Sequence, residues 1–150
     1  MILDPRLHAY REDIADIALR GKVEALRFVK PELRQISVSI ASVHAEPRID
    51  ATTVTEALLG EQVNVFQVTD GWAFVQLAMD SYVGYLPARC LTNQVLETTH
   101  RIAVPSTLLY VKPDIKSNPV QHVYMNSPVS VIKTEGYFAR LRDHRYVWLK

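Results

Sequence analysis

One cysteine in 150 residues excludes an internal disulfide framework, because a single thiol has no partner within the chain. An excess of one charge is also missing: 17 Lys and Arg against 16 Asp and Glu leave a formal net charge of +1. Non-specific nucleic-acid binders carry a basic patch or a pI above about 9, so no nucleic-acid partner is expected. No stretch approaches the roughly 20 apolar residues of a membrane helix, so no membrane partner is expected either. Met1-Ile2-Leu3-Asp4-Pro5-Arg6 places an acid and a proline where a signal peptide has its apolar run, and the expectation is a cytoplasmic protein. The five histidines, His8, His44, His100, His122 and His144, form no i, i+4 pair and have no second cysteine near them. That spacing suits surface residues rather than metal ligands, and no metal or other cofactor is expected.

What is present is a repeat. Apolar residues make up 48% of the chain, and two stretches, 43–86 and 109–149, carry them in the same order. Val43 falls on Leu109, Pro47 on Pro113, Val63 on Val129 and Val65 on Val131. Further on, Asp70-Gly71-Trp72 meets Glu135-Gly136-Tyr137, Val75-Gln76-Leu77 meets Ala139-Arg140-Leu141, and Tyr82-Val83 meets Tyr146-Val147. An acid followed by glycine between two strands supplies the positive φ of a tight hairpin. The chain therefore divides into an N-terminal segment (1–33), a first module (34–91), a polar connector and a second module (99–150). Modules of this size are marginal alone, since about 60 residues bury only roughly 60% of their unfolded surface, so the parts are expected to pack together.

In the N-terminal segment Tyr10, Ile14, Ile17 and Ala18 stand at helical spacing with Gly21 as a stop, which predicts a short helix, followed by an extended stretch over 25–29. The first module predicts strands over 34–40, 54–58, 62–69, 72–77 and 82–86, closed by one tight helical turn over 86–91. The second predicts strands over 100–103, 120–124, 129–134, 138–141 and 146–149. The fold class is thus all-β: two tandem small barrels behind a short helical or extended segment. The second copy has no counterpart of the closing turn Pro87 to Leu91, which leaves Trp148 and Leu149 without a lid. Closure by further polypeptide after Lys150, by a partner or by the N-terminal segment are the alternatives.

Gly71-Trp72-Ala73-Phe74-Val75-Gln76-Leu77 followed by Tyr82-Val83-Gly84-Tyr85-Leu86-Pro87 resembles a bacterial SH3-like domain. The opening run Leu3-Asp4-Pro5-Arg6-Leu7-His8-Ala9-Tyr10-Arg11, with Ile14-Ala15-Asp16 and Gly21-Lys22-Val23, resembles the start of NlpC-type cysteine peptidases of the γ-D-glutamyl-L-diamino-acid endopeptidase kind, the dipeptidyl-peptidase VI branch. That family places an N-terminal segment and two SH3-like domains before a papain-like catalytic domain and cuts murein stem peptides. The resemblance implies two tandem SH3-like barrels and a partner catalytic domain C-terminal to Lys150. The family's Asp-Cys-Ser-Gly nucleophile run is absent from this sequence, and Cys90 reads as a small apolar residue packed against the barrel, so no catalytic residue is assigned.

The same resemblance implies that the first SH3-like domain reads the free amine of the peptide's N-terminal L-alanine. A phenol hydroxyl and a carboxylate suit an ammonium, which brings three donors and a positive charge. Tyr82 is the candidate phenol, and Asp80 or Glu46 the candidate carboxylate; spacing does not choose between them. The leading expectation is a non-catalytic recognition module for L-Ala-γ-D-Glu-diamino-acid peptides. The alternative is a stand-alone SH3-like module that binds cell wall or a protein ligand through an aromatic groove.

Overall fold

The computed structural model describes residues 2–149, and Lys150, where the second module was expected to end, lies outside them. The chain is all-β, as expected. Its N-terminal segment is extended rather than helical. β1 (Ile14–Asp16) pairs in parallel with β2 (Arg27–Val29), and only one 3-10 turn, Ile17–Leu19, lies between them. Asp16 caps that turn, its Oδ1 accepting from the Ala18 amide at 3.0 Å, and Gly21 follows at φ +85. The expected helix over Tyr10, Ile14, Ile17 and Ala18 does not form because a helix of fewer than about 12 residues is marginal without tertiary support. The support available here favours an extended chain: Ala9 and Ile14 are drawn into one apolar cluster with Phe66 and Phe74.

The first sheet contains β3 (Glu32–Ile36), β4 (Ile40–His44), β5 (Thr53–Leu58), β6 (Gln62–Thr69), β7 (Trp72–Leu77), β8 (Val83–Pro87) and β9 (Leu91–Thr92), in the order β5-β4-β8-β7-β6-β3-β9. The single strand expected over 34–40 is two. At Ser37 the chain turns a corner, its amide and Oγ both donating to the Cys90 carbonyl at 2.9 and 3.1 Å, and β4 then leaves β3's partners for β5 and β8. Alternate residues of these strands face one core, in which Val43, Val63 and Val75 are fully buried. Each such side chain contributes roughly 1.5–3 kcal/mol through burial. The closing turn is a 3-10 turn, Ala88–Cys90.

The second set of strands comprises β10 (His100–Arg101), β11 (Ser106–Tyr110), β12 (Pro119–Tyr124), β13 (Pro128–Val129), β14 (Val131–Glu135), β15 (Phe138–Leu141) and β16 (Tyr146–Trp148). The order β12-β11-β16-β15-β14 repeats β5-β4-β8-β7-β6. β11 fell outside the expected strands, yet it is the counterpart of β4. Register shifts recur at matched places, Val43/His44 with Leu109/Tyr110 and Val65/Gln67 with Val131/Lys133.

The sequence alignment holds through Val65 and Val131 and then slips. Asp70 and Gly71 both take positive φ, +53 and +79, in a two-residue type I′ turn. In the second hairpin only Gly136, at φ +58, does so, and Gly136-Tyr137 is the loop. The glycine thus occupies the second loop position in one copy and the first in the other. Phe138, not Tyr137, matches Trp72. Tyr146-Val147 consequently matches Tyr85-Leu86 rather than Tyr82-Val83: Tyr85 pairs with Phe74 and His44, and Tyr146 with Arg140 and Tyr110.

The parts pack together. Leu59 is buried in the second copy's core with Leu109 and Val123, and Ser127 donates its hydroxyl to the Leu59 carbonyl. Gly60, at φ +88, lies so close to the second copy that a Cβ there would stand 2.1 Å from the Pro128 carbonyl oxygen. Ser39 reaches the His122 carbonyl at 2.6 Å and Gln121 reaches that of Ser37 at 3.2 Å. At Gly84, β8 crosses β4 so closely that a Cβ would stand 2.6 Å from Val43 Cγ1 and 2.7 Å from the His44 carbonyl oxygen. Gly84→Ala is expected to lower stability by about 1–3 kcal/mol through overpacking, read as a lower urea midpoint with unchanged m-value.

Candidate functional site

The three residues expected to read an amine lie in two loops of the first sheet, Glu46 after β4 and Asp80 and Tyr82 before β8. β4 and β8 run antiparallel and meet through the pair His44 and Tyr85. Tyr82 opens the way into β8 and is 39% exposed. Asp80 is tied to it: its Oδ1 accepts from the Tyr82 amide at 3.1 Å, with Ser81 between them at φ +66. One carboxylate oxygen of Asp80 therefore shapes the turn that presents the phenol. Glu46 lies in the other loop, where its carboxylate accepts from Arg48 Nη2 at 2.5 Å. Arg48 also reaches Asp50 at 2.8 Å. The structure joins Tyr82 to Asp80 directly, and it holds Glu46 in an ion pair of its own.

Where β4 diverges from β8, the N-terminal segment lies alongside: the Val83 amide donates to the Arg6 carbonyl at 2.8 Å, and Gln76 donates to that of Leu7 at 2.9 Å. The same segment delivers Arg11 onto the outer face of β6, β7 and β8. Its guanidinium donates to Asp13 through Nε and Nη2, to Gln67 Oε1 at 2.7 Å and to the Tyr85 hydroxyl at 3.0 Å. It lies 4.8 Å from the centroid of the Phe74 ring, which stacks on Tyr85 at 5.2 Å. The hydrogen bond to Asp13, followed by that to Tyr85, holds the Arg11 pKa above its already high ordinary value, and the same pairing lowers that of Asp13.

Arg11, Asp13, Tyr85, Trp72, Asp70 and Pro47 border an open cleft of about 350 Å³. Pro47, which follows Glu46 in the chain, lines the cleft, and Glu46, Asp80 and Tyr82 are not among its lining residues. The aromatic members of this cleft, Trp72, Phe74 and Tyr85, stand in the two runs that carry the SH3-like resemblance. No role was assigned to Arg11 or Asp13 from sequence, because a guanidinium brought across 74 positions to Tyr85 leaves no local pattern. With aromatic walls, fixed donors and carboxylates at the edge, the cleft suits a short extended polar ligand.

Cys90 is buried in the first core, and that burial pushes its thiol pKa up, with Arg89 opposing only weakly. A buried, protonated thiol is a poor nucleophile. His44, buried against the edge of Trp72, donates through Nδ1 to the Ala51 carbonyl at 3.0 Å. Among the described residues no three His, Cys, Asp or Glu side chains are grouped to hold a metal ion.

Residues 43–91 match the family model of the bacterial dipeptidyl-peptidase Sh3 domain. The match starts inside β4 and ends at Leu91, so it includes Pro47, Trp72 and Tyr85 of the cleft as well as Tyr82, Asp80 and Glu46. Among solved structures, an NlpC/P60 family protein from Bacillus cereus shares 20% identity at a TM-score of 0.62, over 79% of this chain and 54% of that one. NlpC2 and NlpC1 from Trichomonas vaginalis align at 14% and 15% identity with TM-scores of 0.37 and 0.38, over 81% and 98% of this chain and 46% and 49% of theirs. The chain thus spans about half the length of these solved structures. The first likeness establishes a shared fold. No curated protein sequence matches the chain.

Two outcomes test this description. Arg11→Met and Tyr85→Phe, combined in a double-mutant cycle, are expected to show a coupling of about 0.5–1.5 kcal/mol in urea unfolding. Cys90 is expected to react with a disulfide reagent orders of magnitude more slowly in the folded protein than in guanidinium chloride; rapid native labelling would contradict its burial.

Proposed function

We propose that this chain is the non-catalytic front of a murein-peptide endopeptidase, with tandem SH3-like domains that hold and orient a stem peptide for a papain-like domain following Lys150. The observation that carries the reading is the match of residues 43–91 to a dipeptidyl-peptidase Sh3 domain. The fold shared with an NlpC/P60 family protein, of which this chain covers 54%, supports it. The second set of strands, with the order and register shifts of the first, is read as the second SH3-like domain. The ligand is the L-Ala-γ-D-Glu-diamino-acid peptide, and the setting is recycling of such peptides in the cytoplasm.

In this reading Tyr82 and the second carboxylate oxygen of Asp80 receive the terminal ammonium, and Glu46 is the alternative carboxylate, for which its bond to Arg48 must be exchanged. Tyr82 is suited to the task because Asp80 fixes its backbone while the side chain stays accessible.

The test uses the chain joined to its catalytic domain. Tyr82→Phe is expected to raise KM for free-amine peptides about 10-fold or more, the worth of one charge-assisted hydrogen bond. It should leave kcat and the use of N-acetylated peptides unchanged. Unchanged KM would remove Tyr82 from the site, and cleavage of the peptide by residues 1–150 alone would overturn the non-catalytic assignment.

A further inference from the structure

The two copies match hydrogen bond by hydrogen bond, and the match shows what the second one lacks. Gly60 donates to the Ile36 carbonyl at 2.9 Å, and Asn126 donates to that of Ile102 at 2.8 Å. β3 pairs Arg34 with Val63, and β10 pairs His100 with Val129. Ile102 therefore corresponds to Ile36 and Arg101 to Gln35. At the other end, Ala88 donates to the Gly71 carbonyl at 2.8 Å and Leu149 to that of Tyr137 at 2.7 Å, so Leu149 corresponds to Ala88.

Past Ala88 the first copy is closed. Cys90 enters the core that also holds Ile36, Val65, Ala73 and Leu86, and Val38 and Leu91 pack against that core. Leu91 and Thr92 pair with Ile36 and Gln35 along the free edge of β3. In the second copy the matching edge of β10 is unpaired among the described residues, since β10 pairs with β13 alone. Beside it runs an apolar groove of about 450 Å³ whose walls include Ile102, Val104, Val131, Ala139, Trp148 and Leu149. Four of these correspond to side chains of the core that Cys90 joins: Ile102 to Ile36, Val104 to Val38, Val131 to Val65 and Ala139 to Ala73. Val104 is 46% and Trp148 42% exposed, as walls of an empty seat would be. The N-terminal segment is not its occupant, because Ala9 and Ile14 are packed on the first copy.

We propose that this groove is the seat of a closing β-segment, supplied by the polypeptide that follows β16 in the parent protein. It is held as residues 90–92 are held: a small apolar side chain between Ile102 and Val131, a larger one against Val104, and two backbone pairs to Ile102 and Arg101. The inference shares with the proposed function only the premise that polypeptide follows Lys150, and it makes no use of the peptide ligand.

The test lengthens the full chain at its C-terminus by Ala-Leu-Thr-Asn, the residues of 90–93 with alanine in place of the thiol. Burying that segment is expected to raise Tm by about 4–8 °C and to reduce fluorescence of a hydrophobic dye. An extension of Ser-Ser-Thr-Asn should do neither, and Val104→Asp should abolish the gain of the first extension while leaving the unextended chain's fold intact by circular dichroism. Equal Tm values for both extensions would overturn the proposal. Self-association of the unextended chain that Val104→Asp abolishes would assign the groove to a second copy and overturn it too. Neither outcome bears on Tyr82 or on peptide turnover.

Discussion

The joint at Leu59 and Gly60 is the constraint on which the arrangement of this protein depends. Leu59 belongs by sequence to the turn between β5 and β6, but by packing to the core of the second copy. The backbone turn that delivers it is held against Pro128 at a distance that only glycine permits. Two units of this size, each with too little interior to be robust alone, thus share side chains rather than merely touch. Ser127, Ser39 and Gln121 bond across the same joint, so separating the copies would strip one core of a member and exchange these hydrogen bonds for bonds to water.

Much of this architecture was legible in the chain. Alternation of apolar residues located β6 and β7, with Asp70-Gly71 marking the hairpin between them, because side-chain period and turn chemistry are local properties. The repeat was legible for the same reason, as far as Val131. Beyond that point the glycines and the hydrogen bonds align differently, because Gly71 takes the second position of its hairpin loop and Gly136 the first. The N-terminal segment was misread as helical because its spacing of apolar residues is shared by an extended chain that docks on a sheet. Only the tertiary partners, Phe66 and Phe74, decide between the two.

The site shows the same division. Tyr82 and Asp80 are two residues apart, and their joining through a turn follows from local chemistry. The Arg11 cluster was invisible because its hydrogen bonds span 56 and 74 positions. The N-terminal segment, through Arg11 and Asp13, is a wall of the cleft over the first sheet. It supplies a guanidinium whose donors are already aimed at Asp13, Gln67 and Tyr85.

The copies differ where they face outward. Phe66 and Phe74 form the outer layer of the first sheet, and the positions matching them in the second are Ile132 and Arg140. Arg140, unlike Phe74, offers no apolar landing for Ala9 and Ile14. The framework is thus repeated while its outward positions differ, and Phe66 and Phe74, where the second copy has Ile132 and Arg140, give the N-terminal segment its apolar seat on the first copy. Among the described residues the cleft that this segment borders therefore occurs once, despite the near symmetry of the framework that bears it.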